Sequence, residues 1–302
     1  MEISLHSSKK HRALGYYINL IRDLITSPKN PFNKLYYADL YCGDGECIVG
    51  STGKKYDPPI IQSLLRPAKE IGFSLSCFLN DLDTDKIARM KERTKIYKDF
   101  IEYCESKDAN VCFRDILKMI PPDQFSIFFL DPTNHQDLKW STIKAISEHT
   151  HHYHGKTRRP ELIINLMTYT MLGSYRSKSF QSINESLGTT EWLEQVEKNK
   201  EKGLSAPIEQ TFLTVFVNQL KSLGYSVPTP IKITNTSVDN TIYYLVWATN
   251  EQGYDIIETR LIPWINDLMQ KAQKENKGEL KKATARKRGD RSLTEYVSNQ
   301  NN

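Results

Sequence analysis

Apolar positions along this chain alternate between two spacings, one helical and one extended. Across residues 9–25, Leu14, Tyr17, Ile18, Ile21, Leu24 and Ile25 recur three and four residues apart, which predicts a helix closed by Ser27-Pro28. Residues 35–40 (LYYADL) read as a strand running into a glycine loop. Asp57-Pro58-Pro59 is expected to open a short helix, with Asp57 as cap and proline in the first turn. Residues 73–79 (FSLSCFL) read as a buried strand, followed by a helix from Asp83 to about Cys104. A short strand is expected at 110–113. Residues 125–130 (FSIFFL) show the unbroken apolar run of a central parallel strand. Residues 140–149 then read as a helix and 161–167 (ELIINLM) as another buried strand.

Strand and helix thus alternate to about residue 167. That order predicts an α/β fold: a Rossmann-like, doubly wound, mostly parallel sheet. Residues 180–200 and 207–223 read as helices, so a helical insertion is expected over about 170–225. Residues 226–233 and 241–248 read as a C-terminal antiparallel strand pair, and 254–270 as a closing helix. One domain over residues 1–270 is expected, followed by a basic, polar tail over 271–302.

The strand ends carry the chemistry. Asp39-Leu40-Tyr41-Cys42-Gly43-Asp44-Gly45 closes the first strand. Gly43 and Gly45 would let backbone approach a nucleoside, and Asp39 or Asp44 could accept from an ammonium or hydroxyl. A dinucleotide fingerprint needs a third glycine, but Ile48 stands there and no acid falls in 60–65. An NAD or nucleotide site is therefore disfavoured. An adenosine-sulfonium ligand needs no phosphate cradle, and S-adenosylmethionine (SAM) is the expected cofactor, with Tyr41 among its loop contacts. Asp81, with Asp83 beside it, follows the second strand and could take both ribose hydroxyls. Asp115 follows the short strand expected at 110–113 and could accept the adenine amine. Asp131-Pro132 ends the fourth strand, where enzymes methylating exocyclic amines place a D/N-P-P-aromatic turn. Thr133-Asn134 replaces the proline and the aromatic, removing the usual stacking platform.

Charge adds candidate partners. The net charge is +5, and nine basic residues lie between Lys271 and Arg291 against three acids. Such a cluster either contacts phosphates or is a solvated tail. Residues 149–160 hold four histidines with Arg158 and Arg159; lacking cysteine or carboxylate, the segment reads as a solvated or polyanion-facing loop, and no metal is expected. The five cysteines are odd in number and show no zinc spacing. Cys77 and Cys112 read as core residues, and Cys42 and Cys47 as reduced. No apolar run approaches the ~20 residues of a membrane span. The first residues lack the order of a secretory signal. A cytoplasmic protein is expected.

Lys9-Lys10-His11-x-x-Leu14-x-x-Tyr17, Tyr37-x-Asp39-Leu40-Tyr41-Cys42-Gly43-Asp44-Gly45 and Phe128-Phe129-Leu130-Asp131-Pro132 together resemble the three-Cys-motif partner proteins. That family comprises class I SAM-dependent methyltransferases of bacteria and their mobile elements. The resemblance covers about residues 6–175. It implies the cofactor more firmly than the reaction. Tyr41-Cys42 replaces the family's Phe-Ala, Asp44 a frequent proline, and Thr133-Asn134 its Phe-Gly.

The expectation is a SAM-dependent methyltransferase acting on nucleic acid, DNA or RNA, with an amine as acceptor. Asp39, Tyr41, Gly43, Gly45, Asp81 and Asp115 would hold the cofactor, and Asp131 and Pro132 the acceptor. Lys9, Lys10, His11, Arg158 and Arg159 would grip the polyanion. The alternative is an inactive SAM-fold protein that binds nucleic acid or a protein partner.

Overall fold

The computed structural model describes residues 2–3, 5–26, 34–49, 53–153, 156–201, 207–234 and 241–267. The chain divides into two compact units, Met1–Ile257 and Glu258–Asn302. Of the second, residues 258–267 are described, and they are helical. The basic tail expected over 271–302 and His154 lie outside the described residues.

Seven strands build the main sheet of the first unit: β1 (Leu35–Asp39), β2 (Leu75–Asp81), β3 (Ile101–Ser106), β4 (Phe125–Leu130), β5 (Glu161–Leu166), β6 (Ile231–Thr234) and β7 (Thr241–Ala248). Their order is β6-β7-β5-β4-β1-β2-β3. β7 runs antiparallel to both of its neighbours, while β3 through β5 pair in parallel. The expected doubly wound sheet with a terminal antiparallel pair is the observed one. The chain winds outward in both directions from β1 and β4, so a topological switch point lies between them.

Several elements differ from expectation. Asp57 does not cap the short helix; it ion-pairs with Arg66, and a π-helical turn, Ile60–Leu65, leads into α2 (Arg66–Ile71). The third strand is β3 (IEYCES), not 110–113. Its half-buried, polar-interrupted pattern befits an edge strand and was masked by the helical run before it. That run is α3 (Thr84–Thr94), capped by the Asp83 side chain, and then a short 3₁₀ segment, Lys95–Phe100. Residues 110–113 belong instead to α4 (Ala109–Met119), because Ala109, Cys112, Phe113 and Ile116 form a buried helical stripe. The helix expected at 180–200 is two, Phe180–Leu187 and Glu191–Glu201. They part at Gly188, whose φ is +70° and where a Cβ would sit 2.0 Å from the Trp140 ring. A further helix, Thr168–Arg176, follows β5 directly.

Register sorts the side chains onto two faces. Asp39 pairs with Phe129, Phe129 with Ile163, and Ile163 with Trp247. These residues therefore share a face with Tyr37, Asp131, Asn165 and Tyr243. The opposite face, through Ala38, Phe128, Leu162 and Ala248, packs on Phe113, Ile143, Trp192 and Phe216 as the main core. The polar-bearing face is covered by α1 (Leu5–Ile25). Tyr17 of that helix meets Trp247 edge to face at 6.0 Å and donates its hydroxyl to buried Glu161. Seven residues earlier, the helix delivers Lys10 to Asp131, at the carboxyl end of β4. The helix thus spans the sheet from one strand edge to the other.

Candidate active-site cleft at the strand ends

A cleft of about 690 Å³ opens where β1, β2, β4 and β5 end. This is where ligands meet open α/β sheets. Five aspartates stand on its wall against three lysines. The lining favours a ligand that carries positive charge and offers little to a phosphate chain.

The glycine loop and the acid of the next strand are tied together. Gly43, at φ +68°, donates its backbone N–H to Asp81 Oδ2 at 3.0 Å. Asp81 Oδ1 accepts from the Asp83 N–H at 3.0 Å and from Lys86 Nζ at 3.4 Å. Asp39 is buried behind the wall and accepts the Tyr41 N–H at 3.1 Å. Burial pushes its carboxyl up to about 8, Asp131 and Asp81 push the same way, and the Tyr41 N–H and Lys10 oppose them. The expected role of Gly45 changes. At φ +74° its would-be Cβ lies 3.0 Å from Met90 Sδ, so this glycine lets the loop pack on α3 rather than admitting a ligand.

Asp115 is a correction. It sits exposed on α4, ion-paired with Lys107 at 3.3 Å and Lys118 at 3.2 Å. The residue at that strand end is Asp108, which caps α4 by accepting the Asn110 N–H at 2.8 Å and lines the cleft. Leu82 stands on the same wall, 73% exposed despite being apolar.

Asp131 and Pro132 do border the cleft. Both Asp131 oxygens are engaged: Oδ2 by Lys10 Nζ at 2.5 Å, and Oδ1 by Asn165 Nδ2 at 2.7 Å. Thr133 lines the cleft, while Asn134 turns away to form a capping box with Asp137. The next residue, His135, is buried and bonds the Thr170 and Ser182 hydroxyls at 3.0 and 3.1 Å. Burial holds its pKa down at about 4.

The expected polyanion grip does not assemble. Lys10 is spent on Asp131. His11 is half-buried, and desolvation, helped by Lys10, lowers its pKa to about 4. Its Nδ1 faces Tyr56 Oη at 3.2 Å and Cys47 Sγ at 3.5 Å. Arg158 ends a small hairpin strand, Lys156–Arg158, and Arg159 follows it, just before β5 begins. A parallel strand enters at one edge of the sheet and leaves at the other, so both arginines lie at the edge opposite the cleft. The side chain of Lys9 is outside the described residues. Of the loop histidines, His149 bonds the Ile120 carbonyl at 2.8 Å and His152 the Thr157 hydroxyl at 3.1 Å. All five cysteines are free, with Cys77 and Cys112 fully buried.

Sequence reasoning missed Asp108, Asn165 and Tyr243. Asn165 had a signal, a lone amide inside the apolar run ELIINLM; Tyr243 had none. Tyr243 lines the cleft with its ring 5.6 Å from Lys10 Nζ.

No family model matches the chain, and no curated protein matches it. The resemblance to three-Cys-motif partners therefore rests on the quoted motifs alone. Among solved structures, similarity extends to the CMeT domain of the citrinin polyketide synthase, with 15% identity, TM-score 0.41, and coverage of 78% of this chain and 52% of that one. The chain spans about half the length of that structure. The N-methyltransferase NodS from Bradyrhizobium japonicum WM9 gives 10% identity and TM-score 0.39, over 82% of this chain and 97% of that one. Aeropyrum pernix fibrillarin, determined with natively bound SAM, gives 9% and 0.38, over 78% and 76%.

Proposed function

We propose that the chain is a SAM-dependent methyltransferase acting on a nitrogen nucleophile. The observation that carries this reading is convergence: the acids that follow β2, β3 and β4, Asp81, Asp108 and Asp131, line one cleft beside the switch point, with Asp39 buried behind its wall and Gly43 bonded to Asp81. The residues suit the parts of SAM. Asp81 presents carboxylate oxygens to a ribose diol, Asp108 to an adenine amine, and exposed Leu82 an apolar surface to an aromatic ring. Asp39, poised near its pKa, gains an ammonium partner by releasing its proton.

When bound, SAM supplies an electrophilic methyl group. The chain's own task is alignment: to hold the acceptor nitrogen at the Asp131-Pro132 end and keep water away. Lys10 and Asn165 each bond one Asp131 oxygen, which fixes the carboxylate in place and matches its charge. Its carboxylate orders the Asn165 amide and the Lys10 ammonium. A nucleic-acid substrate remains part of the proposal through the acceptor's chemistry, not through Lys10, His11, Arg158 or Arg159.

Occupancy of both Asp131 oxygens also favours a second reading, a SAM-binding partner protein without turnover. Calorimetric titration with SAM and NAD tests the cofactor: SAM binding that is lost in Asp81→Ala and Asp108→Ala is expected, and NAD binding without SAM binding would overturn it. Incubation with labelled SAM and total RNA or DNA tests turnover; no label transfer from a SAM-binding protein would favour the second reading.

A further inference from the structure

The acceptor end of the cleft holds a charge arrangement that methyl transfer by itself does not require. Lys10 reaches from α1 to Asp131 across 121 positions of sequence, and the two side chains are 8% and 17% exposed. The carboxylate can only accept, so its bond from Asn165 Nδ2 fixes the amide orientation and turns Oδ1 away from Asp131. Asn165 Oδ1 and the Tyr243 hydroxyl are both buried in the wall and have no hydrogen-bond partner among the described residues. Burying such groups unpaired costs free energy, and a ligand that pairs them recovers it. The charges at this end are matched; the neutral hydrogen-bonding capacity is not.

We propose that the Lys10–Asp131 pair makes this end select an uncharged aromatic amine, the amino edge of a base such as cytosine, over an alkylammonium. The proposal rests on the methyltransferase reading of the cleft. An alkylamine is protonated at neutral pH, with an ordinary pKa of about 10. Its charge would need an unpaired carboxylate, and Asp131 is already paired. A second ammonium beside Lys10 would meet a like charge where water is scarce. An amino group conjugated to a heterocycle carries no charge. Its N–H suits Asn165 Oδ1, and the adjacent ring nitrogen suits the Tyr243 O–H. A free nucleoside and an unpaired base of a nucleic acid share that edge.

The test is direct binding to the full chain saturated with S-adenosylhomocysteine, measured by calorimetry and NMR titration. The probes are cytidine, its analogue with hydrogen in place of the 4-amino group, n-butylamine, and a single-stranded oligocytidine. Wild type is expected to bind cytidine about tenfold more tightly than the deamino analogue and n-butylamine hardly at all. Lys10→Met strands Asp131 and should reverse the order, with n-butylamine gaining about tenfold while cytidine loses. Lys10→Met/Asp131→Asn removes both charges and should restore the preference for cytidine; it also decides the question if the single variant does not fold. Equal binding of cytidine and its analogue, a wild-type preference for n-butylamine, or no binding of any of the three base-bearing probes would overturn the proposal. Oligocytidine binding tighter than cytidine assigns the edge to nucleic acid, and the reverse order to a free nucleoside. Failure of S-adenosylhomocysteine to bind strikes the cofactor reading alone, because the amine selectivity is then measured without it.

Discussion

Gly43 gives its backbone N–H to Asp81 Oδ2 at 3.0 Å, so the loop after β1 and the acid closing β2 move as one unit. Only a carboxylate side chain could also accept the Asp83 N–H at 3.0 Å from its other oxygen. Asp81→Asn puts an amide NH₂ against one of those donors. The expected result is a loss of about 1–3 kcal/mol in folding stability, from the stranded buried group. A fall of about tenfold or more in SAM affinity should accompany it, since the diol loses an acceptor. Denaturant melts and calorimetry of the same variant check both. Unchanged SAM affinity would remove Asp81 from the cofactor site.

Asp39 makes stability depend on pH in a definite direction. Its folded pKa, about 8, stands above the ordinary 3.8, so the folded state keeps a proton that the unfolded chain gives up. The contribution is fully present below about pH 4 and is lost as pH rises through 8. Its size is on the order of a few kcal/mol. Asp39→Asn keeps an oxygen for the Tyr41 N–H but cannot ionise. Urea unfolding between pH 5 and 8.5 should show the wild-type decline flattened in this variant. A parallel pair of curves would show that another group carries the slope.

What could be read from the chain follows from where the forces are local. β4 is legible because both of its faces are covered, which leaves FSIFFL uninterrupted. β3 lies at the edge, so IEYCES mixes polar and apolar positions and blends into the helical run before it. That single misplacement carried the adenine contact to Asp115, when the same rule of an acid at the strand end gives Asp108 once the strand is found. The Lys10–Asp131 pair depends on how α1 lies across the sheet, a tertiary relation with no local trace. Arg158 and Arg159 were visible as charges, but which edge they occupy depends on strand direction.

Those two arginines yield a negative prediction. Arg158 and Arg159 precede β5, at the edge away from the cleft. Arg158→Ala and Arg159→Ala should leave the affinities for SAM and for the acceptor within about twofold of wild type, because charges at the far edge, beyond a ~10 Å screening length, act weakly. Arg159→Ala has a local structural effect, since its guanidinium packs against Gly224. A tenfold loss of binding in Arg158→Ala would mean the hairpin reaches the ligand.

His135 couples the acceptor turn to the helices behind it, and acid should loosen that coupling. Its Nδ1 and Nε2 meet the Thr170 and Ser182 hydroxyls, and its backbone carbonyl accepts from Ser186 Oγ at 2.7 Å. Burial lowers the folded pKa from 6.5 to about 4, so the folded state holds fewer protons than the unfolded chain. The contribution is therefore fully present above about pH 6.5, falls as pH drops, and levels off below 4. It amounts to roughly 2 kcal/mol for this ring. His11 is lowered to a similar value, so it shares the same acid limb. His135→Phe should remove about half of the limb, and His11→Phe/His135→Phe the rest. Hydrogen exchange separates the two sites: near pH 4.5, amides of the helix Phe180–Leu187 should lose protection with wild-type His135 and keep it in His135→Phe. Equal protection in both proteins would confine the acid effect to His11 and free the acceptor turn from it.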